Sequence, residues 1–214
     1  MRIVVAGAHG QVARRLGRLL SARGDTVIGV VRNPDHVADL TDDGVTPVVH
    51  DLETATVDDV APLLDGADAV VFAAGAGPGS GVERKRTVDY GGAVKLIEAA
   101  KKNGIDRYVI VSAISVDRPD EWSDQMRPYY EAKRDADRAV LESGLSYTIV
   151  RPGGLTDDPG TGVVKIGTDV QRGDVPREDV AATLLAVLET PSTVGKTFEL
   201  VSGDTPIDEA IRAL

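Results

Sequence analysis

Tyr129 and Lys133 stand four residues apart in the run Pro128-Tyr129-Tyr130-Glu131-Ala132-Lys133. If that run is helical, positions i and i+4 share a face, and a phenol and an ammonium become neighbours. Pro128 suits the first turn of such a helix. A phenol with an ordinary pKa of about 10 exchanges protons poorly at neutral pH unless a cation favours its ionised form. The pair therefore points to proton transfer at Tyr129, tuned by Lys133. The same spacing arises on solvated helix surfaces, and Tyr130 directly follows Tyr129, so either ring could be the inward one. Ser112, at the end of an apolar run, is the hydroxyl best placed to join them, with Ser115 in reserve.

A second kind of chemistry lies near the N-terminus. Val4-Val5-Ala6-Gly7-Ala8-His9-Gly10-Gln11-Val12-Ala13-Arg14 joins an apolar run to an amphipathic one. A glycine turn between a strand and a helix exposes free N–H groups at the positive end of the helix dipole, which suits a phosphate. Gly7 permits the turn and Gly10 lets a pyrophosphate approach the backbone, while Ala13 keeps the helix near the sheet. Gly7, Ala8, His9, Gly10, Gln11 and Val12 are thus the expected phosphate cradle, with the His9 side chain expected to be exposed. The strand Val27–Val31 ends in Arg32-Asn33, about 20 residues further on, where an acid would bond a ribose 2′-OH and an arginine accepts a 2′-phosphate. NADP(H) rather than NAD(H) is the expected cofactor. Asp51-Leu52 would flank the adenine, and Ala73-Ala74-Gly75 is small enough to let the cofactor pass.

These residues need a scaffold, and the pattern supplies one. Apolar, mostly β-branched runs at Ile3–Ala6, Thr26–Val31, Val45–Val49, Ala69–Ala73, Tyr108–Ser112 and Tyr147–Val150 read as strands buried on both faces. Helical patterns at Gln11–Arg23, Pro34–Thr41, Val57–Leu64, Val82–Asn103 and Tyr129–Ser143 alternate with them. The fold class is α/β, a Rossmann-type doubly wound parallel sheet. Beyond it the pattern predicts a short strand at Val163–Ile166, a helix at Arg177–Glu189, a strand at Thr197–Ser202 and a helix at Pro206–Leu214. The expectation is one domain over 1–214, with a small substrate-side cap within 153–214.

Composition excludes several classes. Without cysteine there is no disulfide, thiol nucleophile or thiolate metal site. His9, His36 and His50 form no ligand cluster in sequence, so no metal is expected. A net charge of −10 argues against nucleic acid. It reflects either a plain solvated surface or adaptation to a salty interior. No apolar run reaches the roughly 18 residues of a membrane span, and the N-terminus runs straight into a strand, so no membrane association and a cytoplasmic location are expected.

Taken together, the chain resembles the atypical short-chain dehydrogenases, in particular their NAD(P)-binding, NmrA-like and biliverdin-reductase-like branch. Val88-Asp89-Tyr90-Gly91-Gly92-Ala93, with Leu96–Ala100 after it, is similar to that family's long fourth helix, and Tyr108–Ala113 to its fifth strand. Tyr147–Leu155 is similar to its sixth strand and the turn under the nicotinamide, which adds Pro152, Gly153 and Gly154 to the expected cofactor contacts. Asp157–Gly162 is similar to a loop of small bacterial members described as epimerases. The resemblance implies that Lys133 binds the nicotinamide ribose and lowers the Tyr129 pKa, that Tyr129 moves the proton, and that Ser112 holds the carbonyl of a small-molecule substrate. Because this branch contains degraded active sites, two other outcomes are carried: an NADP(H) sensor that recruits a protein partner, and an epimerase or dehydratase.

Overall fold

The computed structural model describes residues 1–77 and 79–214. Its first two-thirds alternate strand and helix: β1 (Arg2–Ala6), α1 (Gln11–Arg23), β2 (Thr26–Val31), a 3₁₀ turn Pro34–His36 running into α2 (Val37–Asp42), β3 (Thr46–Val49), α3 (Val57–Val60) and β4 (Ala69–Phe72). A long helical stretch follows, α4 (Val82–Arg84), a π-helical segment Lys85–Gly92 and α5 (Ala93–Lys102), then β5 (Arg107–Val111), α6 (Arg127–Leu141) and β6 (Ser146–Pro152). Strands β1 to β6 pair in parallel in the spatial order β3-β2-β1-β4-β5-β6. That order reverses between β1 and β4, and ligands of such sheets bind outside the strand C-termini at that reversal.

Both faces of the sheet are covered because successive residues alternate sides. Ile3 and Val5 join Leu16 and Leu20 of α1 on one face, whereas Val4 and Ala6 join Leu96 and Ala100 of α5 on the other. All eight are buried. This explains why the strands read as continuous apolar runs. Helix α1 stops at Gly24, whose φ of 91° is left-handed and whose N–H returns to Leu20 and Ser21 carbonyls.

The remaining elements are β7 (Gly154–Thr156), β8 (Val163–Gly167), β9 (Asp174–Pro176), α7 (Arg177–Glu189), β10 (Lys196–Ser202), β11 (Thr205–Pro206) and α8 (Ile207–Arg212). Most of 153–214 prolongs the sheet and does not cap it. Strand β10 pairs in parallel with β6, β8 is antiparallel to β10, and α7 packs on α1. Only the two-stranded pair β7–β9 stands off the main sheet. The physical reason is that β6 would otherwise be an open edge, and β10 covers it, burying Phe198, Leu200 and Val201. Among the described residues no helix is long and apolar enough to cross a membrane.

Candidate cofactor cleft and active site

The glycine turn forms the floor of a cleft at the C-terminal strand ends. Gly7 has a φ of 75°, and a Cβ there would lie 2.5 Å from the Ala74 Cα. Only glycine fits between the β1 and β4 ends. Gly10 caps α1 with no side-chain hydrogen bond, and no acid stands in the first helical turn. The helix N–H groups therefore remain available to an anion. The cleft above encloses about 330 Å³. Of the expected cofactor residues, Gly7, His9, Gly10, Arg32, Asn33, Asp51, Leu52, Ala73, Ala74 and Gly75 line it. Ala8 and Val12 are instead buried beneath the turn, and Gln11 is exposed beside it. His50 Nε2 also lies in the lining region, buried and without a hydrogen-bond partner among the described residues. An open cradle with free donors, apolar walls and one orphaned ring nitrogen is a fitting receptacle for a nucleotide.

The His9 side chain is not simply exposed, as the sequence suggested. Its ring stacks on His36 at 3.5 Å between centroids, and Nε2 donates to Asp39 Oδ2 at 2.7 Å. The bond from His9, and then Arg14, hold the Asp39 carboxyl below its ordinary range. Burial, and then the charge of His9, hold His36 low. The two rings thus form one wall at the cleft mouth, fixed to α1 through Arg14, which donates to Asp39 at 3.1 Å and to Asp43 at 2.6 Å.

The opposite rim carries a charge cluster that sequence reasoning missed. Glu53, just after Asp51-Leu52, lies 3.6 Å from the Arg32 guanidinium and accepts from Arg84 Nε at 3.3 Å. Its other oxygen accepts from Thr87 Oγ1 at 2.5 Å. Lys95 clamps the Leu52 and Glu53 carbonyls at 2.9 and 2.7 Å. The Glu83-Arg84-Lys85-Arg86 run reads in sequence as a solvated face from which one residue could reach a phosphate, and the fold turns Arg84 toward the cleft.

Deeper along the sheet edge, Lys133 Nζ donates to the carbonyl of Val111, the last residue of β5, at 3.0 Å. Ser112 is the next residue, and the Tyr129 ring centroid lies 6.0 Å from Lys133 Nζ. The three predicted groups therefore share one neighbourhood. Two carboxylates accompany them. Asp89, carried inward by the π-helical segment, lies 3.5 Å from Lys133 and accepts from Ala76 N at 2.9 Å. Asp137, one turn beyond Lys133, accepts from Arg151 Nε at 2.9 Å. Lys133, Asp89, Asp137, Ser112 and Arg151 are all buried. Burial pushes the Asp137 carboxyl up to about 6, against the pull of Arg151, Ser112 and Lys133. Ser112 Oγ and Asp137 Oδ1 are buried without hydrogen-bond partners among the described residues.

One expectation reverses here. The Tyr129 phenol is pushed above its ordinary range, not lowered, by burial first and then by Asp89, Tyr130 and Asp137. Asp89 neutralises the cation that was expected to lower it. The two tyrosines differ in their contacts. Tyr130 is buried, stacks on Trp122 at 5.4 Å, and accepts from Arg172 at 2.8 Å through its hydroxyl. Tyr129 faces Lys133. The reserve hydroxyl, Ser115, is occupied: Oγ accepts from Arg118 at 2.8 Å, and its N–H and Arg118 both bond Glu199. Trp122 anchors its loop by donating Nε1–H to the Ser115 carbonyl at 2.8 Å. Pro152, Gly153 and Gly154 lie outside the cleft lining. Their compactness answers to the neighbouring chain, since a Cβ on Gly153 would meet the Gly173 carbonyl oxygen at 2.0 Å.

The sequence profile of proteins described as NAD(P)H-binding matches residues 7–191. The chain belongs to this NAD(P)H-binding family. A relative from Bacillus subtilis, named as the uncharacterized sugar epimerase YhfK, is 40% identical over 100% of both chains. A solved Bacillus halodurans protein, assigned to the NAD-dependent epimerase/dehydratases, superposes with a TM-score of 0.93 at 38% identity over 100% of both chains. ChuY, an anaerobilin reductase of Escherichia coli, superposes with a TM-score of 0.80 at 26% identity, covering 95% of this chain and 98% of its own. In this NAD(P)H-binding, oxidoreductase- or epimerase-like protein, motif reading passed over Glu53 and His36, which line the cleft, and Asp89, which pairs with Lys133. For Asp89 a signal existed: a lone acid in the otherwise uncharged run Thr87-Val88-Asp89-Tyr90-Gly91-Gly92.

Proposed function

We propose that this protein is an NADP(H)-dependent oxidoreductase that reduces a small carbonyl compound, with Tyr129, Lys133 and Ser112 as its catalytic residues. The observation that carries the reading is the convergence of these three at the C-terminal end of β5, on the same sheet edge as the nucleotide cleft. When bound, NADPH supplies the hydride. The Ser112 hydroxyl, which has no hydrogen-bond partner among the described residues and lies near Asp137, can turn to bond the carbonyl oxygen. Tyr129 gives that oxygen its proton, and Lys133 stabilises the phenolate left behind. Burial and Asp89 hold the phenol above its ordinary range, which keeps it protonated but makes it a weak acid, so proton transfer from Tyr129 depends on Lys133 favouring the phenolate. Arg32 at the cleft rim supports preference for the 2′-phosphate.

The test is a screen of quinones, aldehydes, ketones and flavin-like acceptors for NADPH oxidation, followed by Tyr129→Phe. That variant should lose at least about 10²-fold in turnover with NADPH affinity nearly unchanged. Wild-type turnover by Tyr129→Phe would remove Tyr129 from the reaction. The name of the Bacillus subtilis relative favours a second reading, an epimerase that returns the hydride to the same substrate. Net NADPH consumption separates the two.

A further inference from the structure

Two guanidiniums from distant parts of the chain meet one carboxylate at the cleft rim. Arg32 comes from the end of β2, Arg84 from the end of α4, and both reach the same oxygen of Glu53, at 3.6 and 3.3 Å. The carboxylate is not free to drift. Thr87 holds its second oxygen, and Lys95 holds its backbone carbonyl. Glu53 is also better shielded than its partners, with a side chain 25% exposed against 50% for Arg32 and 37% for Arg84. All three line the nucleotide cleft. In a chain with a net charge of −10, two cations gathered around a fixed anion at a ligand rim resemble a phosphate site with a resident counter-ion.

We propose that Arg84 joins Arg32 in reading the 2′-phosphate of the nucleotide, and that Glu53 is an internal counter-ion with which this phosphate must share the two arginines. A phosphate bound to the two arginines gains their fork-shaped donors but stands beside a like charge that cannot leave. Glu53 therefore moderates the preference for the 2′-phosphorylated nucleotide and holds the two arginines together at the rim while the cleft is empty. An unphosphorylated ribose meets neither effect.

The inference rests on the 2′-phosphate preference proposed above, and half-cofactors separate the two ideas without any substrate. Calorimetry with 2′,5′-ADP and 5′-AMP measures the adenosine end alone. Arg32→Ala should lower the 2′,5′-ADP to 5′-AMP affinity ratio by about tenfold or more, the size of one lost charge-assisted contact. If it does not, the preference itself fails. Arg84→Ala should lower the same ratio by about tenfold, and Glu53→Gln, which keeps an acceptor for Thr87, should raise it about fivefold. Glu53→Asp keeps the charge but draws it back from both arginines, and should raise the ratio by less. It carries the test if the glutamine variant does not fold. A ratio unchanged or lowered by both Glu53 variants, with Arg32→Ala behaving as expected, overturns the counter-ion role alone. Loss of 5′-AMP affinity in Glu53→Gln would make Glu53 a ribose ligand and also overturn it.

Discussion

Asp89→Asn perturbs one atom pair and should have two opposite consequences. Asp89 Oδ1 stands 3.5 Å from Lys133 Nζ, and both side chains are buried. At an effective dielectric near 20, two unit charges at that distance attract by about 5 kcal/mol before desolvation is counted. Removing one partner of a buried pair costs about 3–5 kcal/mol because the other charge remains. Lys133 keeps a hydrogen bond to Val111 O, so the lower end of that range is expected. Asparagine also keeps an acceptor for Ala76 N–H, so the backbone contact survives. The second consequence concerns Tyr129. Asp89 is the largest charge raising its phenol, so an uncharged residue there leaves Lys133 facing the ring unopposed, and the phenol should titrate about 1–3 pH units lower than in wild type. The groups facing the phenol are Lys133 and Asp137 on its own helix, Tyr130 beside it, and Asp89 across from it, so the substitution changes one of two nearby negative charges. Near-ultraviolet phenolate absorbance across an alkaline titration, with Tyr129→Phe variants of both backgrounds to isolate the signal, measures the shift. Urea denaturation measures the stability. A Tyr129 titration unmoved or moved upward would refute the claim that Asp89 masks Lys133.

Gly7→Ala should destabilise the fold by about 2–4 kcal/mol, from a left-handed backbone and an added Cβ against Ala74, and should abolish NADPH binding; a wild-type denaturation midpoint would refute it. Asp137 has a carboxyl raised to about 6 in the fold, so its burial is penalised above that value and the penalty is relieved as pH falls toward the ordinary carboxylate range. The stability of wild type relative to Asp137→Asn should accordingly rise by up to about 3 kcal/mol between about pH 7 and pH 4, and a flat difference would count against it.

The parts of this molecule that were legible in the sequence are those set by local rules. Strand β2 and helix α1 have the expected ends, because a continuous β-branched run, an amphipathic period and a glycine stop each act over a few residues. Helix α7 does too, bounded by Pro176 before it and Pro191 just beyond it. Gly7 was legible for the same reason: a turn between strand and helix needs a positive φ wherever it occurs. Strands β7, β9 and β11 were not, since two or three residues carry no period, and their pairing partners lie 20 to 43 positions away in sequence. The π-helical segment is helical by pattern, yet the wider turn decides which side chain faces inward, and here it turns Asp89 onto Lys133.

The same distinction separates the reactive groups from their electrostatics. Spacing on one helix was enough to pair Tyr129 with Lys133, because i and i+4 share a face whatever the rest of the chain does. The sign of the Tyr129 shift was not available from that spacing. It depends on an acid from a different helix, 44 residues from Lys133 in sequence, and on burial that the whole sheet edge supplies. Glu53 repeats the pattern at the other end of the cleft: Arg32 was readable at a strand end, whereas the carboxylate that occupies it is brought there by β3 and held by α5. In both places the local motif identifies the reactive cation, and an acid contributed from elsewhere in the fold determines how much of its charge a ligand meets. A cofactor that binds here therefore competes with the protein's own anions, so its affinity should respond to neutralising Glu53 or Asp89 as directly as to removing Arg32 or Lys133.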